Sequence, residues 1–455
     1  MGEKAKFGSR IGLIAATVGS AVGLGNVWRF PAEVQSNGGA AFLLVYIVCV
    51  LVLGVPVMLS EFALGRGGQS DAVGVFKRFA PKTQWWVVGA LAILASYIIT
   101  TFYMVVAGWT LEYFIESVTG SLYAATEGVS EKALEGTFNA RMEEYVAGTT
   151  GPVVWTAAMI LINLGVLLMG VRKGIEKISN ILMPLLFLLL VIFAAVSCSL
   201  PGSGEGIAFF LRPDFSAITP KVVISALGQA FFSLSLGMGI LITYSAYYPH
   251  ETNLGTTALT VSALDLLVAL LMGFIIFPAI TSFGLSGAEL RGTTLVFVTL
   301  PEVFAHTGTP RIWSSLFFLL LFVAALTSTI SISEVSVAFI QDRFKRSRRS
   351  ACLIVMLPLL ILSPICALSF GPLKGISIFG LGIFDFLDTL ATNIMLPVVS
   401  IFICIFIGWF APPALLKGQL TNHGTVKMRL LPTVRFIVRY LAPVLIAIVL
   451  VSAFL

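Results

Sequence analysis

The chain has 455 residues, 58% hydrophobic and 11% charged, with a mean hydropathy of +0.99. That balance excludes a soluble globular domain, and runs of about twenty apolar residues recur along the whole length, as a polytopic membrane protein requires. The net charge of +6 does not describe a nucleic-acid surface, because Lys and Arg fall in short clusters between the apolar runs.

Eleven spanning segments are expected, at 11–35, 40–66, 85–116, 152–170, 176–199, 221–248, 256–285, 313–343, 350–370, 376–410 and 432–454, after a short N-terminal segment, 1–10. The first run is long, glycine-broken and without a small-residue cleavage site, so it reads as a span and not as a cleavable signal. Alternating the loops gathers twenty of the 28 Lys and Arg on one side. The positive-inside rule makes that side cytoplasmic, which puts the N-terminus inside and, after an odd number of spans, the C-terminus outside a plasma (inner) membrane. The external loop from Thr119 to Gly151 is acidic and Ala/Glu-rich, which suggests a short surface helix. The external loop Ser286–Arg311 flanks the apolar stretch Thr294–Phe304 with turn signals, the pattern of a re-entrant hairpin or lid.

The first segment contains Gly19-Ser20-Ala21-Val22-Gly23-Leu24-Gly25-Asn26. Each glycine in a helix interior costs about 1 kcal/mol relative to alanine. A bilayer cannot leave the freed backbone groups bare, so an interruption here lines a cavity, faces an ion or is covered by protein. Arg29 follows and needs water or a partner. A second such stretch, Phe231-Phe232-Ser233-Leu234-Ser235-Leu236-Gly237-Met238-Gly239, lies in the sixth segment. Glycines that merely let helices pack closely would explain either stretch alone. Two in matching positions, five segments apart, point to inverted halves (11–200 and 221–410, with 432–454 appended) and to a secondary transporter with its site at the midplane.

Polar residues at depth are candidates for that site. Asp265 in the seventh segment must be protonated, paired or on a cation. The eighth segment carries Thr327 and Ser328, whose hydroxyls either bond back to their own helix or ligate. Carbonyls at 19–22, those two hydroxyls and the Asp265 carboxylate form an oxygen donor set suited to a hard cation such as sodium. Glu61, Tyr103, Asp385 and Asp388 are further polar groups, and a base such as Arg29 would suit the last two. The five cysteines lie in or beside apolar runs without metal-site spacing, and the three histidines are scattered, so no enzyme chemistry is indicated. A channel is disfavoured by bulky Tyr103 and Phe232 at the breaks. A proton-coupled carrier and a non-transporting amino-acid receptor on the same framework stay open.

The run Gly19-Ser-Ala-Val-Gly-Leu-Gly-Asn-Val-Trp-Arg-Phe-Pro31, with Asn37-Gly-Gly-Ala-Ala-Phe and Glu61-Phe-Ala-Leu-Gly-Arg66, resembles the neurotransmitter:sodium symporter family, the LeuT-like transporters, in its bacterial eleven-helix form. The resemblance covers nearly the whole chain from Phe7. It implies an all-α membrane protein of 5+5 inverted repeats with broken first and sixth helices, and a symporter working by alternating access. It also implies two sodium ions. One would sit on Ala21, Asn26, Ser233 and Asp265 with the substrate carboxylate, and the other on Gly19, Val22, Ala324, Thr327 and Ser328. The substrate would be an amino acid whose carboxylate meets Tyr103 and the amides near Gly25. Its side chain would lie among Ser20, Gly23, Ile99, Phe232, Ser235, Met238, Ser328 and Ile332. Arg29 and Asp388 would form an outer gate, with Tyr103 and Phe232 beneath it, and Lys4 and Asp342, near Tyr247, an inner one.

Departures from the family pattern refine this. Monoamine carriers have an aspartate at Gly23, so glycine favours an amino acid that brings its own carboxylate. Met238, unbranched and adaptable, suggests an apolar or aromatic side chain. Asp265 stands where the sodium ligand is usually Asn. Tyr46, Gln229 and Ser233 match the surroundings of the chloride site of chloride-dependent members, but Ala269 replaces its serine. A fixed charge at Asp265 then implies chloride independence. Lys4 replaces the usual Arg and Phe7 the usual Trp, which implies a weaker inner gate, since lysine is a point charge and not a planar fork.

Overall fold

The computed structural model describes residues 6–124, 133–285 and 292–454. Among these, nine helices are long and apolar enough to cross a membrane: Ala40–Gly68, Trp86–Thr119, Thr150–Leu168, Val171–Cys198, Leu254–Ser282, Pro310–Phe344, Arg348–Phe370, Ile383–Phe410 and Leu431–Ser452. A tenth crossing is the pair Arg10–Ala21 and Gly25–Ser36, bent by 54°. The sixth segment in chain order consists of two shorter helices, Pro220–Ser233 and Ile240–Ser245, neither long enough to cross alone.

The first and sixth spans break where the glycines lie. Arg10–Ala21 ends as Val22 turns extended (φ −74°, ψ 102°), and a wide π-type turn resumes at Gly25. Between Ser233 and Ile240 the chain passes through left-handed conformations at Ser235 (φ 54°), Gly237 (76°) and Gly239 (72°). Gly237 has a second reason to be glycine, since a Cβ there would lie 2.5 Å from Ser400 Oγ. The eighth span packs along the third, and the first rests on the fifth, seventh and eighth, so both breaks are enclosed by protein.

Three expectations shift. The tenth span starts at Ile383, not 376, because Phe379 and Gly380 both take positive φ (51° and 82°). They close a two-residue hairpin that pairs Ser377–Ile378 with Leu381–Gly382. The fifth starts earlier, at Val171, through a π-type turn over Val171–Glu176. In the 286–311 loop the apolar stretch is helical over Gly292–Ala305, with Leu295–Thr299 buried, and it packs against the loop helix Leu134–Ala147. Residues 286–291, Glu127 and Glu131 lie outside the described residues.

Candidate functional site

The break in the first span leaves the last carbonyls of Arg10–Ala21 without intrahelical donors. The eighth span answers two of them. Ser328 Oγ donates toward Gly19 O at 3.3 Å and Val22 O at 3.2 Å. Beside it, Thr327 Oγ1 donates to Val323 O and Ala324 O, both at 3.1 Å. Gly19, Val22, Ala324, Thr327 and Ser328 therefore form one buried cluster of oxygens. A serine proton currently satisfies carbonyls that a cation would satisfy in its place.

A second cluster joins the first, sixth and seventh spans. Asn26 Nδ2 donates to Asp265 Oδ1 at 2.9 Å and reaches Ser233 Oγ at 3.2 Å. Ser233 Oγ donates to Asp265 Oδ2 at 2.6 Å, and Tyr46 Oη reaches the same oxygen at 3.4 Å. Asn26 and Asp265 are fully buried. With its amide nitrogen committed, Asn26 leaves Oδ1 buried and without a hydrogen-bond partner. An orphaned acceptor beside a carboxylate fits a cation, because a buried acceptor left unmet costs about 1–3 kcal/mol. Gln229 stands nearby, its Nε2 on Gly25 O at 3.5 Å and its Oε1 also unpartnered.

Between the clusters lie the residues expected around the substrate, and they are closely packed. Tyr103 Oη accepts from Leu24 N at 2.9 Å, which places that hydroxyl at the free amides of the break. Ser235 Oγ donates to Ser20 O at 2.8 Å and ties the two breaks together. Ile99, Ser235, Met238, Ser328 and Ile332 are each at most 4% exposed. Gly23 admits no side chain, since a Cβ would lie 2.6 Å from Ser328 Oγ and 2.8 Å from Tyr103 Oη. Gly25 faces Phe232, whose ring a Cβ would approach to 2.6 Å. Ala21 closes the helix beside Ser20.

Above the pocket a vestibule of about 740 Å³ runs outward from Gly25, Tyr103 and Phe232 to Arg29, Asp385 and Asp388. The Arg29 guanidinium lies over the Phe232 ring at 4.8 Å and pairs with Glu33 at 3.9 Å. The expected Arg29–Asp388 ion pair is not formed; both residues line the vestibule, and Arg29 takes Glu33 instead.

At the opposite end the described start of the chain packs inward. Phe7 is 3% exposed, its ring set edge-on to Tyr244 and Tyr247, and its N–H donates to Tyr247 O at 3.1 Å. Phenylalanine thus fills this space without an indole. Lys4 lies outside the described residues. Asp342 accepts from Asp71 N at 2.8 Å, and Tyr247 Oη donates to Glu334 at 2.8 Å.

Several closing residues were not singled out from the sequence. Glu176 accepts from Gly8 N at 2.7 Å, Ser9 N at 3.0 Å and Ser9 Oγ at 2.9 Å, clamping the N-terminus to the fifth span. Glu334, fully buried, takes Arg348 through two bonds of 2.7 Å. The signal for Glu334 was available: it is an acid amid Ser331–Ile340, otherwise uncharged, with a basic cluster just downstream. Glu61, singled out only as polar, holds Gly237 N at 2.8 Å and so braces the sixth break.

This arrangement can be set beside known proteins. The model of the sodium:neurotransmitter symporter family matches residues 4–147 and 141–455. An uncharacterized sodium-dependent transporter, YhdH, of Bacillus subtilis (strain 168) is 34% identical over 98% of this chain and 96% of its own length. An uncharacterized sodium-dependent transporter of Haemophilus influenzae is also 34% identical, over 90% of this chain and 89% of its own. Among solved structures, that of MhsT in complex with L-phenylalanine superposes with a TM-score of 0.88 at 40% identity, covering 99% of this chain and all of that one. With the broken first span and the LeuT-type all-α fold, these matches give the conclusion that the chain belongs to the sodium:neurotransmitter symporter family.

Proposed function

We propose that this protein is a sodium-coupled symporter for amino acids with apolar or aromatic side chains, working by alternating access and without chloride. The observation that carries the reading is Asn26 Oδ1, buried and unpartnered beside the Asp265 carboxylate. A cation there gains both oxygens, and Ser233 and Ala21 are at hand to complete its shell. The substrate carboxylate would join that shell and accept from Tyr103 and the amides near Gly25. Solute and ion then bind together because each completes the other's site. A second sodium would displace the Ser328 proton from Gly19 O and Val22 O and take Thr327 and Ala324 as well. Phenylalanine is the probe of choice, since MhsT was solved with it and the pocket by Ile99, Met238 and Ile332 is apolar.

The halves 11–200 and 221–410 are read as inverted repeats that rock about the two breaks. The open vestibule and sealed inner end correspond to an outward-facing state with the N-terminus in the cytoplasm. The basic loops support that orientation and a C-terminus outside. Two sodium ions moving inward gain roughly 2.3 kcal/mol each per 100 mV, enough for about thousandfold accumulation of a zwitterion.

The test is binding of L-phenylalanine to the purified protein in sodium chloride, sodium gluconate and potassium gluconate. Binding in both sodium salts and none in potassium is the expected result. Equal binding in potassium would remove sodium from the site.

A further inference from the structure

The last stretch of the chain carries a feature that the transport site does not use. From Thr389 to Leu455 the sequence has no Asp or Glu, yet it holds Lys417, Lys427, Arg429, Arg435 and Arg439. Three of these converge. The loop helix Pro413–Leu420 and the start of the eleventh span, Leu431–Phe436, enclose a groove of about 660 Å³ lined by Lys417, Arg435 and Arg439 with Leu416, Phe436 and Tyr440. Among the described residues no carboxylate pairs with any of the three cations.

Arg439 is the best-defined of them. Its guanidinium stacks at 3.8 Å on the Trp409 ring and lies 5.4 Å from the Tyr440 centroid. Trp409 Nε1 donates to Arg439 O at 3.1 Å and fixes that stack. Arg439 Nε is nonetheless buried and has no hydrogen-bond acceptor. A held guanidinium with an unmet donor, flanked by two free cations, calls for an anion with several oxygens. The rim says where that anion comes from. Trp409, Phe410, Phe436 and Tyr440 are all exposed where the tenth and eleventh spans end, which is the aromatic belt of a membrane–water interface. A groove at that depth, basic inside and aromatic toward the bilayer, meets lipid headgroups before it meets solutes.

We propose that this groove binds the phosphodiester headgroup of an anionic phospholipid, with Arg439 and Arg435 on the phosphate, Lys417 closing over it, and the acyl chains along Phe436 and Tyr440. The site lies outside the ion and substrate pocket and does not depend on what is transported.

Native mass spectrometry of the full chain, exchanged into equal amounts of phosphatidylglycerol and phosphatidylcholine, tests this. The wild type is expected to retain phosphatidylglycerol through collisional activation that strips phosphatidylcholine. Lys417 and Arg435 are exposed, so Lys417→Gln/Arg435→Gln leaves the fold intact and should lower that retention about tenfold or more. Arg439→Gln should lower it further, with the melting temperature as its folding control. Inorganic phosphate, added at ionic strength matched with chloride, should not displace the lipid. Equal retention of the two lipids, unchanged retention in Lys417→Gln/Arg435→Gln, or displacement by phosphate would each overturn the proposal, the last in favour of a free-anion site.

Discussion

The amide of Asn26 donates to the carboxylate of Asp265 at 2.9 Å while its own carbonyl oxygen, buried, meets nothing. That pairing joins the break of the first span to the seventh span. If the Asp265 charge substitutes for chloride, Asp265→Asn should either abolish transport in chloride-free buffer or make it depend on added chloride. Sodium affinity without chloride is expected to fall about tenfold or more, a loss of at least 1.4 kcal/mol. Uptake at graded sodium in chloride and in gluconate checks this.

The second cluster makes a separable expectation. Thr327→Val keeps the shape of the eighth span but removes the Oγ1 that now bonds Val323 O and Ala324 O. Half-saturating sodium should rise about tenfold, again about 1.4 kcal/mol. The substrate pocket is untouched, so binding at saturating sodium should recover. Sodium titration of L-phenylalanine binding is the measurement.

Gly23 is packed against two of the expected substrate contacts. A Cβ there falls 2.6 Å from Ser328 Oγ and 2.8 Å from Tyr103 Oη, so Gly23→Ala must push Tyr103 off the Leu24 amide. Phenylalanine affinity is expected to drop by at least about tenfold. The melting temperature without ligand should fall as well, since overpacking a buried site costs about 1–3 kcal/mol, so affinity is compared on protein shown to be folded.

The inner seal depends on acids that hold other elements. Glu334→Gln leaves Arg348 without its bidentate partner, and breaking a buried pair from one side costs about 3–5 kcal/mol. Arg348 is partly exposed, so the lower end applies, read as a reduced Tm in detergent. Glu176→Gln should act more locally. It weakens the clamp on Gly8 and Ser9, and hydrogen exchange over residues 8–14 should accelerate while the outer half of the protein is unchanged.

Much of this was legible because membrane physics leaves few alternatives. Long apolar runs in a bilayer read as helices, so the glycines and hydroxyls that interrupt two of them mark the breaks at Gly19–Asn26 and Phe231–Gly239. Asp265, Thr327, Ser328 and the carbonyls at 19–22 stood out as polar groups at depth, the resemblance added Asn26 and Ser233, and the structure brings Asn26, Ser233 and Asp265 together, and Gly19, Val22, Thr327 and Ser328 together. What stayed hidden depends on conformation or long-range pairing. Arg29 pairs with Glu33 and not with Asp388, a choice of partner that the sequence does not fix. Glu176 looked like a segment edge until the chain brought Ser9 to it, 167 residues away. The tenth segment was read straight through from 376, and only the positive φ at Phe379 and Gly380 showed a hairpin at its head.

The central claim is flux coupled to sodium. Proteoliposomes holding the protein should accumulate radiolabelled L-phenylalanine when sodium gluconate is outside and potassium gluconate inside, and an imposed inside-negative potential should increase that accumulation. Accumulation driven equally well by a proton gradient in sodium-free buffer, or tight binding with no flux under any gradient, would contradict the account.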